Sequence, residues 1–323
     1  MKESILITGG AGFIGANFVN RLVDHYSVLE RYKIVVLDAL TYAGNKSFID
    51  QSIVKGVEFV HGDICDTDLV TNLFKKYAFC GVIHFAAESH VDRSIEGPGV
   101  FLDTNVNGTM NLLEASLAEW KKTENFRYLQ VSTDEVYGSL KLDEPAFTES
   151  HMIKPNSPYS ASKASADLFV RSYFKTYGLP TLITRCSNNY GPLQNNEKLI
   201  PLMISNARAD KSLPVYGTGT NVRDWIFVDD HNDGVWAVFE KGRAGEVYNL
   251  GGNAEKSNID VVKIILKLLD KPESLISYVT DRLGHDFRYA MNFEKATKEL
   301  GWTPKVNFDE GIKKTVEWYL SQN

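Results

Sequence analysis

Two carboxylic acids stand side by side, Asp134 and Glu135, directly after Thr133 and the apolar run Tyr128-Leu129-Gln130-Val131-Ser132. Farther along, Tyr159-Ser160-Ala161-Ser162-Lys163 sets a tyrosine and a lysine four residues apart, on one face of a helix. A free tyrosine has a pKa of about 10, too high for an efficient base at neutral pH. A nearby ammonium stabilises the phenolate and lowers that value. A tyrosine tuned in this way can take a hydroxyl proton while the same carbon is oxidised. Oxidation alone has no use for the acid pair. A new ketone acidifies the neighbouring C–H, however, so one carboxylate can remove that proton while a carboxylic acid helps expel a hydroxyl group as water. Blander readings exist for each feature: a tyrosine packed beside a solvated lysine, or an acid capping a turn that starts near Val136. The position of the doublet at the end of an apolar strand, where open α/β sheets bind ligands, argues against both acids being structural.

The surrounding pattern supplies the frame. Short β-branched runs at 4–8, 33–38, 57–61, 81–85, 128–132 and 181–185 alternate with helical periodicity at 14–24, 66–75, 105–120 and 159–177. This alternation predicts βαβ units and an α/β fold, a Rossmann-type doubly wound parallel sheet covered on both faces. After Asn188 the texture changes, with Pro192, Pro201 and Pro214 interrupting the pattern. Residues 228–241 read as a helix and 246–250 as a strand that return to the sheet. Residues 259–269, 293–300 and 308–320 read as helices of a smaller C-terminal substrate-binding lobe. The expected division is 1–188 plus about 224–252 for the sheet lobe, and about 189–223 plus 253–323 for the second. With no repeat or low-complexity linker in view, the site is expected between the lobes.

Gly9-Gly10-Ala11-Gly12-Phe13-Ile14-Gly15 joins the first strand to the first helix. Gly9, Gly12 and Gly15 allow a tight turn, close approach of a pyrophosphate and close helix–strand packing, and the helix N-terminus faces the phosphates. Asp38 ends the second strand about 20 residues farther on, where a carboxylate can bind the adenosine ribose. Ala39-Leu40-Thr41 brings no basic residue for a 2′-phosphate, so NAD is expected over NADP. Asp63-Ile64 would flank the adenine, and Ala86-Ala87-Glu88 would pass close to the cofactor. The positive nicotinamide ring would then assist Lys163 in favouring the Tyr159 phenolate, and Lys163 would bond the nicotinamide ribose.

Composition narrows the rest. A 43% hydrophobic, 24% charged chain of 323 residues is that of a globular protein with a sizeable core. The net charge of −6 gives no global attraction to nucleic acid or anionic membrane. Cys65, Cys80 and Cys186 lie far apart and form no metal or redox motif, so no metal is expected and a reducing compartment is. No signal-like leader precedes the first strand, and no apolar run reaches the roughly 18 residues of a membrane span. A cytoplasmic location is expected.

The motifs together resemble the extended short-chain dehydrogenase/reductase family, in its nucleotide-sugar 4,6-dehydratase branch. The likeness runs through Thr8–Gly15, Asp38-Ala39-Leu40-Thr41-Tyr42-Ala43-Gly44-Asn45 and Ala86-Ala87-Glu88-Ser89-His90-Val91-Asp92-Arg93-Ser94. It continues through Ser132-Thr133-Asp134-Glu135-Val136-Tyr137-Gly138, Pro158-Tyr159-Ser160-Ala161-Ser162-Lys163 and Arg185-Cys186-Ser187-Asn188-Asn189-Tyr190-Gly191-Pro192.

The resemblance implies that dTDP-glucose is dehydrated to dTDP-4-keto-6-deoxyglucose, in deoxysugar (rhamnose) biosynthesis. Tyr159 would take the 4-hydroxyl proton, Glu135 the C5 proton, and Asp134 would protonate the leaving 6-hydroxyl, with Thr133 near O4. NAD would stay tightly bound and be regenerated each turnover. Phe13, Ile14, Phe85, Thr104 and Asn189 join the implied cofactor contacts. Implied substrate contacts are Ser89, Asn188, Lys198, Leu199, Pro214, Tyr216, Arg223 and Asn258, then Asp281, Arg282, His285 and Tyr289, with Arg223 and Arg282 pairing with the diphosphate.

Leu283 and Phe287 depart from the family pattern, which has proline and arginine there. The family also implies a homodimer through residues 105–120 and 159–177. Related epimerases usually carry small residues in place of the acids, and nucleotide-sensing Rossmann proteins often lack the tyrosine–lysine pair. Both alternatives, and other NAD-dependent nucleotide-sugar dehydratases, are to be separated by products.

Overall fold

A computed structural model of the chain describes residues 2–123 and 125–322. In chain order its strands are β1 (Glu3–Thr8), β2 (Tyr32–Asp38), β3 (Glu58–His61), β4 (Phe79–His84), β5 (Arg127–Thr133) and β6 (Thr181–Cys186). There follow β7 (Asn188–Tyr190), β8 (Leu213–Tyr216), β9 (Val222–Phe227), β10 (Val247–Leu250), β11 (Glu255–Ser257) and β12 (Ile276–Val279). Ile5, Leu6 and Ile7, like Ile34 to Leu37, are fully buried on successive sides of the pleat, the mark of strands covered on both faces. Seven strands pair in parallel in the order β10-β6-β5-β4-β1-β2-β3. The order reverses between β1 and β4, which opens a crevice at their C-terminal ends. The doubly wound expectation holds.

One face of the sheet is covered by the helices Phe13–His25 and Val228–Lys241 through Phe18, Leu22, Val235 and Phe239. The other is covered by Thr67–Tyr77, Thr109–Trp120 and Pro158–Tyr177 through Leu73, Leu112, Leu113 and Val170. The smaller lobe has its own core of Ile200, Met203, Val215, Val261, Ile265, Phe308 and Ile312. That core is formed by the helices Leu199–Arg208, Asn258–Leu268 and Phe308–Ser321 with the short strands β7, β8, β9, β11 and β12.

Three differences from the sequence expectations have physical causes. The helix expected over 105–120 is α-helical only over Thr109–Trp120 and is preceded by a wide π turn, Asp103–Gly108. There the Asn105 amide leaves the helix surface to bond Glu88 N and O and Ser162 Oγ, and π turns of this kind often lie beside functional sites. Second, Glu294–Leu300 does not join the smaller lobe. Its Ala296 and Leu300, with Trp302, pack into the sheet-lobe core, and the Trp302 indole donates to the Asp230 carbonyl at 3.0 Å. Third, β7, β8, β11 and β12 escape sequence detection because three or four residues are too few for alternation to show, and the six-residue β9 is missed as well. Among the described residues no helix is long and apolar enough to cross a membrane, and no cluster of His, Cys, Asp and Glu suits a metal ion.

Candidate active site

The glycine turn is shaped by contact. Gly9 has φ 69°, and a Cβ there would stand 2.5 Å from Ala86 N. A Cβ on Gly15 would stand 2.2 Å from the Gly9 carbonyl oxygen, so the turn, the first helix and the 85–88 segment close up only without side chains. No side chain caps the helix that begins at Phe13. Its first N–H groups face the crevice that a diphosphate needs.

Asp38 Oδ2 accepts from Ala11 N at 2.9 Å and Oδ1 from Leu40 N at 2.8 Å, tying the glycine turn to the following loop. The resulting cleft, of ≈ 330 Å³, is lined by the expected cofactor residues Gly9, Gly12, Phe13, Ile14, Gly15, Asp38, Ala39, Thr41, Asp63, Ile64, Phe85, Ala86, Ala87, Glu88, Thr104 and Asn189. Leu40 is the exception. It takes a left-handed backbone (φ 50°) and contributes its N–H to Asp38 instead of lining the cleft.

The acid–base group lies at the inner end of that cleft. Pro158 opens the Pro158–Tyr177 helix, and Ser157 and Ser160 close a reciprocal capping box at 3.0 and 3.1 Å. This sets Tyr159 and Lys163 facing β5, both buried. Lys163 Nζ donates to the Val131 carbonyl oxygen at 2.9 Å. Thr133, at the end of β5, accepts from Glu135 N at 3.3 Å and so caps the short 3₁₀ turn Asp134–Tyr137. Neither acid is needed for that task. Thr133 Oγ1 donates to Asp134 Oδ1 at 3.2 Å, while Asp134 Oδ2 is buried with no partner among the described residues.

Charges here are displaced from their ordinary balance. Burial, with Glu135 and Asp224 nearby, holds the Asp134 carboxyl well above the usual carboxylate range, in the direction that favours its protonated form. Burial also raises Glu135, against the opposing pull of Arg223 and Lys198. Tyr159 is pushed well above 10 by burial and by Glu135, Cys186 and Asp134, with a bond to Thr133 acting the other way. The expected lowering by Lys163 is not what the protein alone achieves. Burial lowers Lys163 itself, and its Nζ is engaged by Val131. A further positive charge beside the ring would act with Lys163 to bring the phenol down.

The implied substrate residues divide. Ser89, Asn188 and Lys198 line the cleft, with Lys198 Nζ donating to the Ser89 carbonyl oxygen at 2.9 Å. Leu199, Pro214, Tyr216, Asn258, Asp281, Arg282, His285 and Tyr289 do not line it; they come from the smaller lobe and the segment after β12. Arg223, also an implied diphosphate contact, lies outside the cleft lining. Its guanidinium donates to the carbonyls of Val222 (2.8 Å) and Asp286 (2.9 Å) and lies 4.3 Å from the centre of the Tyr289 ring, so it braces the loop and acts on Glu135 as a field.

Tyr289 OH donates to Asp286 Oδ2 at 2.6 Å, and His285 pairs with Asp281 at 2.7 Å. The departures Leu283 and Phe287 both point outward, and Phe287 is anchored by its backbone N–H to Ser139 Oγ at 2.8 Å. Sequence reasoning missed Gln194, Asn195 and Glu197, which form a strap along the cleft, and Cys186 and Ser187 beneath it. A polar loop without a motif gives no sequence signal. In the structure its signal is unsatisfied chemistry: Ser132 Oγ, Asn189 Oδ1 and Gln194 Oε1 are buried in the cleft wall without partners among the described residues, as polar groups awaiting a polar ligand are.

A dinucleotide crevice ending on a paired acid and a helix-borne tyrosine is the arrangement of a nucleotide-dependent short-chain dehydrogenase/reductase. Residues 6–315 match the family described as GDP-mannose 4,6 dehydratase, and the chain belongs to that family. It is 53% identical to the dTDP-glucose 4,6-dehydratase of Xanthomonas campestris pv. campestris (strain B100), over 98% of this chain and 93% of that one. The crystal structure of DesIV, the dTDP-glucose 4,6-dehydratase of Streptomyces venezuelae with NAD and TYD bound, superposes with TM-score 0.94 at 46% identity, covering 99% of this chain and 97% of the other. The UDP-glucose 4-epimerase of Thermus thermophilus, in complex with NAD, superposes with TM-score 0.89 at 28% identity over 99% and 100%.

Proposed function

We propose that the chain is a dTDP-glucose 4,6-dehydratase in which Tyr159, Glu135 and Asp134 each handle a different proton. The observation that carries this reading is the buried Asp134, its Oδ2 without a partner among the described residues, beside Glu135 at the end of β5, a feature that oxidation alone does not require. Support comes also from full-length likeness to enzymes of that description, well above the 28% identity to the epimerase.

Gly9, Gly12, Gly15, Asp38, Asp63, Ala86 and Thr104 hold NAD, and Lys163 stands by the nicotinamide ribose. Bound NAD supplies the hydride acceptor for C4 of the sugar and the hydride donor for C6, and is regenerated within each turnover. Tyr159 takes the proton of the 4-hydroxyl, its phenolate favoured by the positive nicotinamide ring and the Lys163 ammonium. Glu135 then removes the C5 proton made acidic by the C4 ketone, while Asp134 delivers its proton to the departing 6-hydroxyl, which leaves as water. A proton returns to C5, giving dTDP-4-keto-6-deoxyglucose. Thr133 orients both acids and stands near O4. Ser89, Asn188 and Lys198 face the nucleotide sugar from the cleft, and Arg282 and Tyr216 from the smaller lobe.

The same reading places the enzyme in the cytoplasm, in deoxysugar biosynthesis, as a homodimer. Leu168, Phe169 and Tyr177, exposed on the second of the two helical segments named for that contact, are apolar surface a partner would cover. Light scattering of the purified protein tests the dimer.

Incubation of the purified protein with dTDP-glucose and no added electron acceptor, followed by NMR of the product, tests the activity. A 4-keto-6-deoxy sugar is expected. A C4 epimer would indicate an epimerase, and no product from dTDP-, UDP- or GDP-sugars would indicate a nucleotide sensor.

A further inference from the structure

Four of the implied substrate contacts, Lys198, Arg223, Arg282 and His285, are cationic or titratable to cations, and they are not equally available to an anion. Arg223 is held by backbone carbonyls, and His285 pairs with Asp281. Lys198 is bonded to the Ser89 carbonyl, and burial together with the like charge of Arg282 lowers its pKa. Arg282 is held differently. Its Nε donates to Asp92 Oδ1 at 2.6 Å and its Nη2 to Asp92 Oδ2 at 2.9 Å, a two-point fork on a carboxylate. The face of Tyr216 lies 5.1 Å below the guanidinium. Nη1 has no hydrogen-bond partner among the described residues.

Asp92 comes from the opposite lobe, on the short helix Val91–Glu96 that follows Ser89. The same few residues also fix the strap, since His90 and Arg93 reach Glu197, next to Lys198, at 3.7 and 3.5 Å. One segment of the sheet lobe therefore sets the position of both Lys198 and Arg282. Arginine has five N–H donors, so a carboxylate that occupies the Nε edge leaves the Nη1 edge oriented and free.

We infer that Asp92 is a positioning residue for substrate binding, holding Arg282 by its Nε and Nη2 so that the free Nη1 edge can take a phosphate oxygen of a nucleoside diphosphate beside Lys198. This rests on the nucleotide-sugar reading above. It also makes Asp92–Arg282 one of the ties between the segment after β12 and the sheet lobe, beside Asn156–Asp286 and Ser139–Phe287.

The experiment compares the NAD-loaded wild type with Asp92→Asn, Asp92→Glu, Arg282→Ala and the double variant Asp92→Asn/Arg282→Ala, measuring kcat and KM for dTDP-glucose and calorimetric binding of dTDP and of thymidine. Asp92→Asn is expected to raise KM and to weaken dTDP binding on the order of tenfold, the scale of a misdirected charge-assisted bond, with kcat within about twofold. Thymidine binding should stay unchanged, and Asp92→Glu should recover most of the loss. In the Arg282→Ala background the Asp92 change should add nothing, because both act through one guanidinium. Additive losses, an equal loss for thymidine, or tighter dTDP binding in Asp92→Asn would each overturn the positioning role. NAD content and melting temperature show whether the variants fold, and the double variant compares two proteins that share any damage from Arg282. If the wild type binds dTDP yet makes no 4-keto product, the dehydratase reading fails while the Asp92 role stands on the binding data. If the wild type binds no dTDP, both fail.

Discussion

Lys163 donates to the carbonyl oxygen of Val131 at 2.9 Å, two residues before the threonine that caps the acid-bearing turn. The bond joins the helix that carries Tyr159 to the strand that leads into the Asp134–Tyr137 turn, so one lysine links the two halves of the chemistry. Replacing it with methionine leaves a buried carbonyl without its donor, at a cost of about 1–3 kcal/mol. Lys163→Met should lower kcat by roughly a hundredfold or more, a loss set by positioning and by the missing cation. Steady-state kinetics with a melting curve checks both; near-native kcat would remove Lys163 from the mechanism.

Glu135→Gln keeps the shape of the site and removes the base. C4 oxidation should survive in part while loss of water stops, with turnover down by about a hundredfold to ten-thousandfold. Single-turnover spectroscopy on dTDP-glucose should then show the near-ultraviolet absorbance of reduced nicotinamide building up without 4-keto-6-deoxy product. Dehydration at the native rate would mean that another group takes the C5 proton.

Asp134 links activity and stability to pH with opposite consequences. Its native pKa lies above its unfolded value, so over the pH range between the two the native state binds more protons than the unfolded chain. Stability must then fall as pH rises through that range, because the buried carboxyl resists ionisation. Asp134→Asn removes this term and should melt higher than wild type, by a margin that widens as pH rises from the ordinary carboxylate range. Its kcat should fall by about a hundredfold or more, since no proton is delivered to the leaving hydroxyl. Melting curves across pH, paired with kinetics, test the sign; a margin that narrows with rising pH would contradict a protonated Asp134.

The glycines of the turn should separate into two classes. At Gly15 an added Cβ meets the Gly9 carbonyl oxygen at 2.2 Å, a backbone atom that cannot step aside, so Gly15→Ala should destabilise by about 1–3 kcal/mol. At Gly12 the nearest atom within reach is that same oxygen at 3.5 Å, an ordinary contact. Gly12→Ala should therefore fold within about 1 kcal/mol of wild type and lose NAD on gel filtration, since its Cβ enters the cleft where the pyrophosphate approaches. Equal melting temperatures for the two variants would reject this distinction.

Much of this was legible in the chain because its signals are local. The glycine turn, the strand ending in Asp38, the doublet after β5 and the Tyr159–Lys163 helix are each contained in a few consecutive residues, and period and turn chemistry place them without knowledge of the rest. The sheet-covering helices could be read for the same reason, through buried stripes such as Leu112, Leu113 and Leu117. The residues that act by long-range contact were not legible. Asp92 and Arg282 are 190 positions apart, and nothing near either one announces the fork between them. Nor does the local sequence show that the Leu40 N–H donates to Asp38, or that the Arg223 guanidinium donates to the carbonyls of Val222 and Asp286.

The chemical groups themselves, an acid pair, a tyrosine and a lysine behind a dinucleotide turn, were determined by the sequence alone, since type and spacing carry that information. Which proton each group holds was decided only by the tertiary structure. Burial and neighbouring charge shift a carboxyl or a phenol in ways that no local pattern encodes, and here they push both Asp134 and Tyr159 toward their protonated forms.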